Sequence, residues 1–433
     1  MQKKLSDNDV MLETITTEFA RKSSLSHCRG CGNKGLAPVL DYGPMPPSDG
    51  FQDAQQCEIP ESLTPLELVF CEACNLLQVL ETMEPQQLFG NDYLYLSSCS
   101  DSWLEHCRKN ATEITSRFDL DADSLVVEVA SNDGYLLQYF KQQSIPVLGI
   151  DPAPAPVRCA VEAGIETIND FFTLKLAREL STHKKADVII SNNVLAHVAD
   201  IHDFISGVRE MLSEDGSWII EVPYVKNLVD GCAFDTVYHE HLCYFSVTAL
   251  QHIMTRHQFY LNDIKMLQTH GGSLRVYVSS RNKQAQNVTD LLREEKLSGV
   301  HRLEYYQDFA SNARSVTRQI GGLLENLASQ DQRIAVYGAA AKGTILLNCL
   351  GQTARHVAYA VDRNSLKHGK WIPGVDIPIF STDEINHQKP DYLLLLPWNL
   401  RSEILLQEQD YLRSGGKFII PLPRPEIISG KDL

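Results

Sequence analysis

Between residues 124 and 223, four short β-rich runs stand apart from one another: "SLVVEVA" (124–130), "IPVLGID" (145–151), "ADVIISN" (186–192) and "GSWIIEVP" (216–223). Segments long enough for helices separate them. This alternation constrains the fold more than any other feature of the chain. It predicts a parallel sheet covered by helices on both faces. A second alternation begins at 333 with "RIAVYGAAAKGTILLNCL", "HVAYAVDRN", "YLLLLPWN" and "KFIIPLP", after a polar stretch of helical rhythm over 283–329. At 433 residues the chain exceeds one ordinary core, so separate domains are expected.

The expected division is a flexible tail over 1–24, a small Cys-bearing module over 25–85, a first α/β domain over 86–282 and a second over 283–433. Apolar content of 43% and charged content of 22% are those of a globular protein in water. The net charge of -16 argues against an extended nucleic-acid footprint, which needs clustered Lys and Arg. No apolar run approaches the roughly 20 residues that span a bilayer. The start "MQKKLSDNDV" is charged with no apolar stretch behind it, so no signal peptide is expected. The expectation is a cytoplasmic protein without a membrane partner. Its eleven cysteines then read as thiols or metal ligands.

Cys28 and Cys31 form one C-x-x-C, and Cys71 and Cys74 form another. Each pair suits a knuckle turn that presents two thiolates on one side, and two knuckles make a closed tetrahedral S4 site for a structural zinc. Gly30 and Gly32 relax the first turn. The 39 intervening residues exceed a compact zinc ribbon, so unrelated buried thiols or a redox pair stay as the plain alternative.

The stretch "VVEVASNDGYLLQYF" runs from a strand through a turn into a helix, and Asp151 ends the next strand 23 positions after Glu128. This is a nucleoside-binding layout: a tight turn approaching the ligand, then a carboxylate for ribose hydroxyls. In the E-x-G-x-G-x-G pattern of class I S-adenosylmethionine enzymes, the glycine places hold Ala130, Asn132 and Gly134. No pyrophosphate needs room there, so two glycines can be absent. Pro152, Asp170, Phe171 and Asn192 follow strand ends and join the expected cofactor set, with Asn193 beside them for substrate. The plain alternative is an ordinary strand–helix turn. His197, in "NNVLAHV", stands at the same edge, where a lone histidine is more often a capped or core residue.

One segment resists a structural reading. "DTVYHEHLCYF" (235–245) sets His239, Glu240 and His241 side by side among aromatics. It is either a satisfied polar knot or proton-transfer machinery.

Taken together, "CRGCG" with "CEACNLLQV", "DYLYLSSCS", "EVASNDGYLL", "NNVLAHV", "YHEHLCYFS", "HGGSLRVYV" and "VYGAAAKGTILLN" resemble the sugar C-methyltransferases that act on nucleotide-linked keto-sugars. The resemblance covers about 27 to 425. It implies an α/β fold in which a class I S-adenosylmethionine domain is flanked by a zinc module and a second Rossmann-like domain. It implies S-adenosylmethionine and structural Zn2+ as cofactors. The implied partner is a nucleotide-diphosphate sugar, and the implied reaction is methylation beside the ketone of a 4-keto-6-deoxysugar, expected at C-3. By resemblance Tyr238, Glu240 and His241 lie over the reacting carbon, with His197 and either Tyr93 or Tyr95 beside them; Tyr93 is the one carried forward. His239 falls at a variable position.

Chemistry agrees with that placement. Carbon methylation needs a base, an oxyanion partner and an aligned methyl group, and orientation of this kind is worth ~7–11 kcal/mol. His241 is the expected base, Tyr238 the donor to the enolate oxygen, and Glu240 a partner for an imidazole or a sugar hydroxyl. Lys342, at the start of a helix, suits a phosphate. Asp362 follows the next strand, and His270, Gly272 and Arg275 are expected between the domains with the nucleotide diphosphate. An RNA-modifying methyltransferase, a non-catalytic scaffold with a methyltransferase fold and an NAD-dependent oxidoreductase are the competing readings. The oligomeric state is left open.

Overall fold

The computed structural model describes residues 25–53, 63–84, 86, 88, 96–99 and 101–432. The N-terminal module holds β1 (Leu36–Met45), the two-residue β2 (Gln52–Asp53), β3 (Thr64–Cys71) and β4 (Leu76–Val79). β1, β3 and β4 pair antiparallel in that order. Leu66, Leu68 and Phe70 of β3 are buried on one face, and Val69 and Cys71 are buried on the other, so only the first half of the strand alternates.

The central sheet contains β5 (Val126–Val129), β6 (Val147–Ile150), β7 (Thr167–Ile168), β8 (Ala186–Asn192), β9 (Leu212–Pro223), β11 (Tyr260–Leu267) and β12 (Ser273–Ser279). The short β10 (Cys243–Tyr244) leaves this sheet and pairs with β4, completing the module's sheet. The central order is β11-β12-β9-β8-β5-β6-β7. All pairs from β7 to β9 are parallel, whereas β12 runs antiparallel to both neighbours. A single reversed strand beside the edge is the class I methyltransferase arrangement. The four residues of β5 are all buried, because helices cover both faces. The chain passes from β5 to β6 on one side and later to β8 on the other. The carboxyl ends of β5 and β8 therefore flank the topological switch point, where ligands bind in such sheets.

The C-terminal sheet contains β13 (Ile334–Tyr337), β14 (Val357–Asp362), β15 (Lys370–Ile372), β16 (Ile377–Ser381), β17 (Tyr392–Leu395), β18 (Lys417–Ile420) and β19 (Glu426–Ser429). Its order is β19-β18-β17-β13-β14-β16-β15-β2, parallel from β18 to β16, with β2 of the module as its last strand.

The three bodies thus exchange strands. The helix Leu303–Ala328 adds a further tie. Its buried residues Tyr306, Phe309, Ala310, Ala313 and Val316 recur at helical spacing, and Tyr306 meets Phe70 of the module at 4.5 Å between ring centroids. The helix Gln286–Ser298 packs on the helix Val247–Arg256 and on β11. It belongs to the central body by contact, although it lies beyond 282. Among the described residues no helix is long and apolar enough to cross a membrane.

Candidate active site

The turn after β5 keeps the glycine conformation without the glycines. Ala130, Asn132 and Gly134 have φ of 58°, 48° and 79°. Non-glycine residues pay a steric penalty in this left-handed region and concentrate at functional turns. Asn132 holds the turn from two sides. Its N–H donates to Asp151 Oδ2 at 2.8 Å, and its Oδ1 accepts from the Ser97 N–H at 2.9 Å. Asp151 Oδ1 accepts from the Ala153 N–H at 2.8 Å. Each Asp151 oxygen keeps a second lone pair that a hydroxyl can use.

Glu128 is fully buried, and both its oxygens lack a hydrogen-bond partner in good geometry, as do both amide atoms of Asn192 at the end of β8. Burial pushes the Glu128 carboxyl well above the usual carboxylate range. Buried polar atoms without partners are rare, and here they converge on the switch point. This donor and acceptor set fits a nucleoside with a polar amino-acid tail. Pro152 is half-buried next to Asp151, and Asn169 Nδ2 donates to its carbonyl at 2.9 Å. Asp170 is exposed, and its side chain accepts from the Phe171 N–H at 2.8 Å. Asn193 continues the β8 edge with φ of 54° and donates its N–H to the Glu221 carbonyl at 2.7 Å.

The aromatic segment divides its three titratable residues among three jobs. His239 is fully buried, with Nε2 at 3.2 Å from the Thr64 carbonyl and 3.1 Å from the Pro65 carbonyl. It anchors the segment to the module. His241 and Tyr238 face each other: Nε2 to Oη is 3.1 Å and the ring centroids are 4.2 Å apart. Burial holds the Tyr238 phenol well above its usual pKa, so it keeps its proton. His197 packs edge-to-face on His241 at 4.7 Å. Its Nδ1 lies 2.6 Å from the Glu240 carbonyl oxygen, which makes Nδ1 the protonated nitrogen. Burial pushes His197 down to about 4, opposed by the Glu240 and Asn193 carbonyls.

The expected imidazole partner in Glu240 is therefore its backbone, toward His197. The Glu240 carboxyl turns the other way, to Ser48 and Asp49. Burial and the neighbouring Asp49 push it up to about 7.

Ser48 and Asp49 belong to "MPPSDGF", a loop the sequence reading left without a role. Ser48 accepts from Thr344 Oγ1 at 2.9 Å, and Lys367 sits over the Phe51 ring at 4.8 Å. This loop brings the module into the cleft between the α/β domains. Asp235 was also missed. It is fully buried, accepts from Trp398 Nε1 at 2.7 Å through Oδ2, and leaves Oδ1 without a partner. Burial lifts it to about 6. The acidic residue heading the aromatic segment was the signal that could have found it.

Lys342 lies opposite, 4.9 Å from the Trp398 ring, and donates to Asn399 Oδ1 at 2.5 Å. Burial pushes its ammonium down and Asp235 opposes this. Asp362 accepts from the N–H groups of Ala339 and Asn364 at 2.7 Å each, so it shapes the turn after β13.

Two expectations are corrected. Arg275 does not reach the interdomain cleft. It is buried in the central domain, donating to Glu221 at 2.6 Å, with Glu113 at 3.4 Å and His106 at 3.3 Å. A buried guanidinium needs its carboxylate, and Glu221 on the paired strand supplies it. Gly272, with φ of 115°, has a packing role: a Cβ there would stand 1.8 Å from Asn227 Nδ2. His270 lies in the turn Thr269–Gly271, and its side chain is outside the described residues, as are Tyr93 and Tyr95.

The four cysteines converge. Their sulfurs all lie within 4.8 Å of one another, with Cys28–Cys74 at 3.5 Å and Cys31–Cys71 at 3.6 Å. Tetrahedral zinc with Zn–S near 2.3 Å demands about 3.8 Å between sulfurs, so the set fits a structural zinc. The Gly30 N–H donates to Cys28 Sγ at 3.3 Å and Gln78 Nε2 does so at 3.1 Å.

Three family models match the chain: a zinc binding domain over 28–89, a methyltransferase domain over 103–263 and a C-methyltransferase C-terminal domain over 268–423. The C-methyltransferase NovU of Streptomyces niveus is 34% identical over 411 residues, which is 94% of this chain and 98% of that protein. Among solved structures, a S-adenosylmethionine-dependent methyltransferase from Clostridium acetobutylicum is 12% identical, covering 41% of this chain and 91% of its own, with a TM-score of 0.33. The magnesium protoporphyrin IX methyltransferase of Synechocystis is 15% identical, covering 45% and 89%, with a TM-score of 0.31.

Proposed function

The chain belongs to the C-methyltransferase family, and from that premise we propose that its acceptor is a nucleotide-linked 4-keto-6-deoxysugar, methylated at C-3 with His241 as the base. The observation that carries this reading is the Tyr238–His241 pair, 3.1 Å from Oη to Nε2, backed by the neutral His197 ring. S-adenosylmethionine, when bound at the crevice of Glu128, Asp151 and Asn192, supplies an electrophilic methyl group.

The chain's own residues do the rest. At rest the Tyr238 hydroxyl donates to His241 Nε2. A ketone oxygen placed beside Tyr238 draws that hydroxyl to itself and releases the Nε2 lone pair toward the adjacent C–H. The imidazole takes the proton, and the phenol bonds to the enolate oxygen. Tyr244, 6.2 Å from His241 between ring centroids, and the buried Phe245 keep water away from the enolate. Lys342 and the turn after β13 suit the diphosphate, which a helix N-terminus with a lysine favours. A cytoplasmic location agrees with four thiolates kept reduced for metal.

The test is hydrogen exchange in deuterated water. The protein is incubated with a panel of nucleotide 4-keto-6-deoxysugars and S-adenosylhomocysteine, and mass spectrometry counts carbon-bound deuterium. Incorporation at one carbon that disappears in His241→Ala supports the reading and names the carbon. Neither exchange nor methyl transfer with any member of the panel overturns it.

A further inference from the structure

We propose that Gln78 is a positioning residue that couples the zinc centre to the segment Tyr238–Phe245, so that metal binding sets the geometry around His241. The inference rests on the reading of that segment as the reaction centre. Its physical content can be tested without any sugar.

Gln78 is a fully buried amide in β4 with three simultaneous attachments. Its Nε2 donates to Cys28 Sγ at 3.1 Å, and its Oε1 accepts from the Arg29 N–H at 3.0 Å. Its backbone pairs with Cys243 of β10, two residues after His241. One side chain thus touches a metal-binding sulfur and the knuckle backbone, while its main chain holds the strand that continues from the reaction centre.

The neighbouring contacts run in the same direction. The Val79 N–H donates to the Leu242 carbonyl at 3.0 Å, and the Leu242 N–H donates to the Ala196 carbonyl at 2.8 Å. Leu242 is therefore held between the zinc module on one side and the turn carrying His197 on the other. The Arg29 guanidinium, inside the first knuckle, donates to the carbonyls of Val79 and Glu81, the second at 3.2 Å. His239 is bound to the start of β3. His241 sits within a stretch whose flanks are fixed to the module. Without metal, nothing covalent or ionic gathers the four sulfurs. The knuckles separate, and Cys28 draws Gln78 and β4 away from β10. Groups that bond a metal ligand from outside are worth about 10- to 100-fold in metal affinity. Here the same amide also aligns a strand.

The test compares the zinc-loaded full chain, its Gln78→Leu variant and the wild-type chain stripped with a chelator. Three quantities are read: zinc transfer to a chromophoric chelator, amide hydrogen exchange over 239–244, and affinity for S-adenosylhomocysteine. Methyl transfer is a fourth where an acceptor is in hand. The expected result for Gln78→Leu is zinc release faster by roughly 10- to 100-fold, exchange raised over 239–244 and unchanged affinity for S-adenosylhomocysteine. The stripped wild type should show the same exchange pattern, which decides the matter if the variant does not fold. The proposal is overturned if the stripped chain, or a folded Gln78→Leu variant, keeps its protection over 239–244. It is equally overturned if the stripped chain loses S-adenosylhomocysteine binding too, since the metal would then hold the whole fold. Should no keto-sugar be methylated, the exchange and zinc readouts still decide the coupling.

Discussion

The Nδ1 atom of His197 lies 2.6 Å from the backbone carbonyl oxygen of Glu240. Two segments 43 residues apart are joined by this bond, and it determines which nitrogen of His197 carries the proton. The ring that results packs edge-to-face on His241, 4.7 Å between centroids.

His241→Ala should lose about 10²- to 10⁴-fold in turnover, the usual worth of a general base, with S-adenosylhomocysteine binding unchanged. His197→Asn keeps a donor near the Nδ1 position and should lose less than His197→Ala. Single-turnover methyl transfer with both variants checks the order. Equal losses would mean that the bond to Glu240 does not position the ring.

The Glu240 carboxyl predicts a pH signature. Its folded pKa is about 7 and its ordinary value is 4.5. The folded state then binds more protons than the unfolded state between those values, so this group's contribution to stability falls as pH rises from 4.5 to about 7 and levels off above. Glu240→Gln should gain on the wild type by up to about 3 kcal/mol between pH 5 and pH 8. Denaturant midpoints at the two pH values measure it, and parallel curves would refute it.

Ala130→Gly should be neutral or stabilising by up to about 1 kcal/mol, because the left-handed strain at φ 58° offsets glycine's entropic cost. Ala→Gly inside a helix costs ~0.5–1 kcal/mol instead. Urea unfolding, read beside S-adenosylhomocysteine affinity, tests this. A clear loss of stability would argue against strain at the turn.

Arg275→Met should destabilise by about 3–5 kcal/mol, since Glu221 is left buried and uncompensated. Lys342→Met should leave stability nearly unchanged and raise KM for a nucleotide sugar roughly 10- to 100-fold, the worth of one charge-assisted bond to phosphate. Melting curves together with substrate titration separate the two. A selective KM effect at Arg275 would reverse its present assignment.

How much was legible depended on how local each feature is. The metal ligands were readable because each C-x-x-C makes its own knuckle. The tight turn after β5 was readable from one strand, one turn and one acidic residue, and its left-handed backbone at Ala130 and Asn132 stands where glycine is usual. Arg275 was misplaced because the motif "HGGSLR" says nothing about which face of β12 it occupies. Its pairing with Glu221 is set by strand register, a contact across 54 residues. Asp49 passed unnoticed because a lone aspartate in a loop has no period or spacing to mark it, and Asp235, in the turn Phe234–Thr236, was marked only by its place at the head of the aromatic segment.

What the amino-acid sequence determined by itself was therefore the set of elements and the residues whose chemistry acts within a single turn: two knuckles, two alternating α/β halves, and a histidine-rich aromatic segment. Only the tertiary structure decided which body each strand joins and which partner each buried charge meets. Hydrophobic patterning specifies that a face must be covered, and many segments satisfy it equally well. A hydrogen bond or an ion pair is met only by one atom at one distance, and that distance exists only after β2 and β10 have crossed from one body into the next.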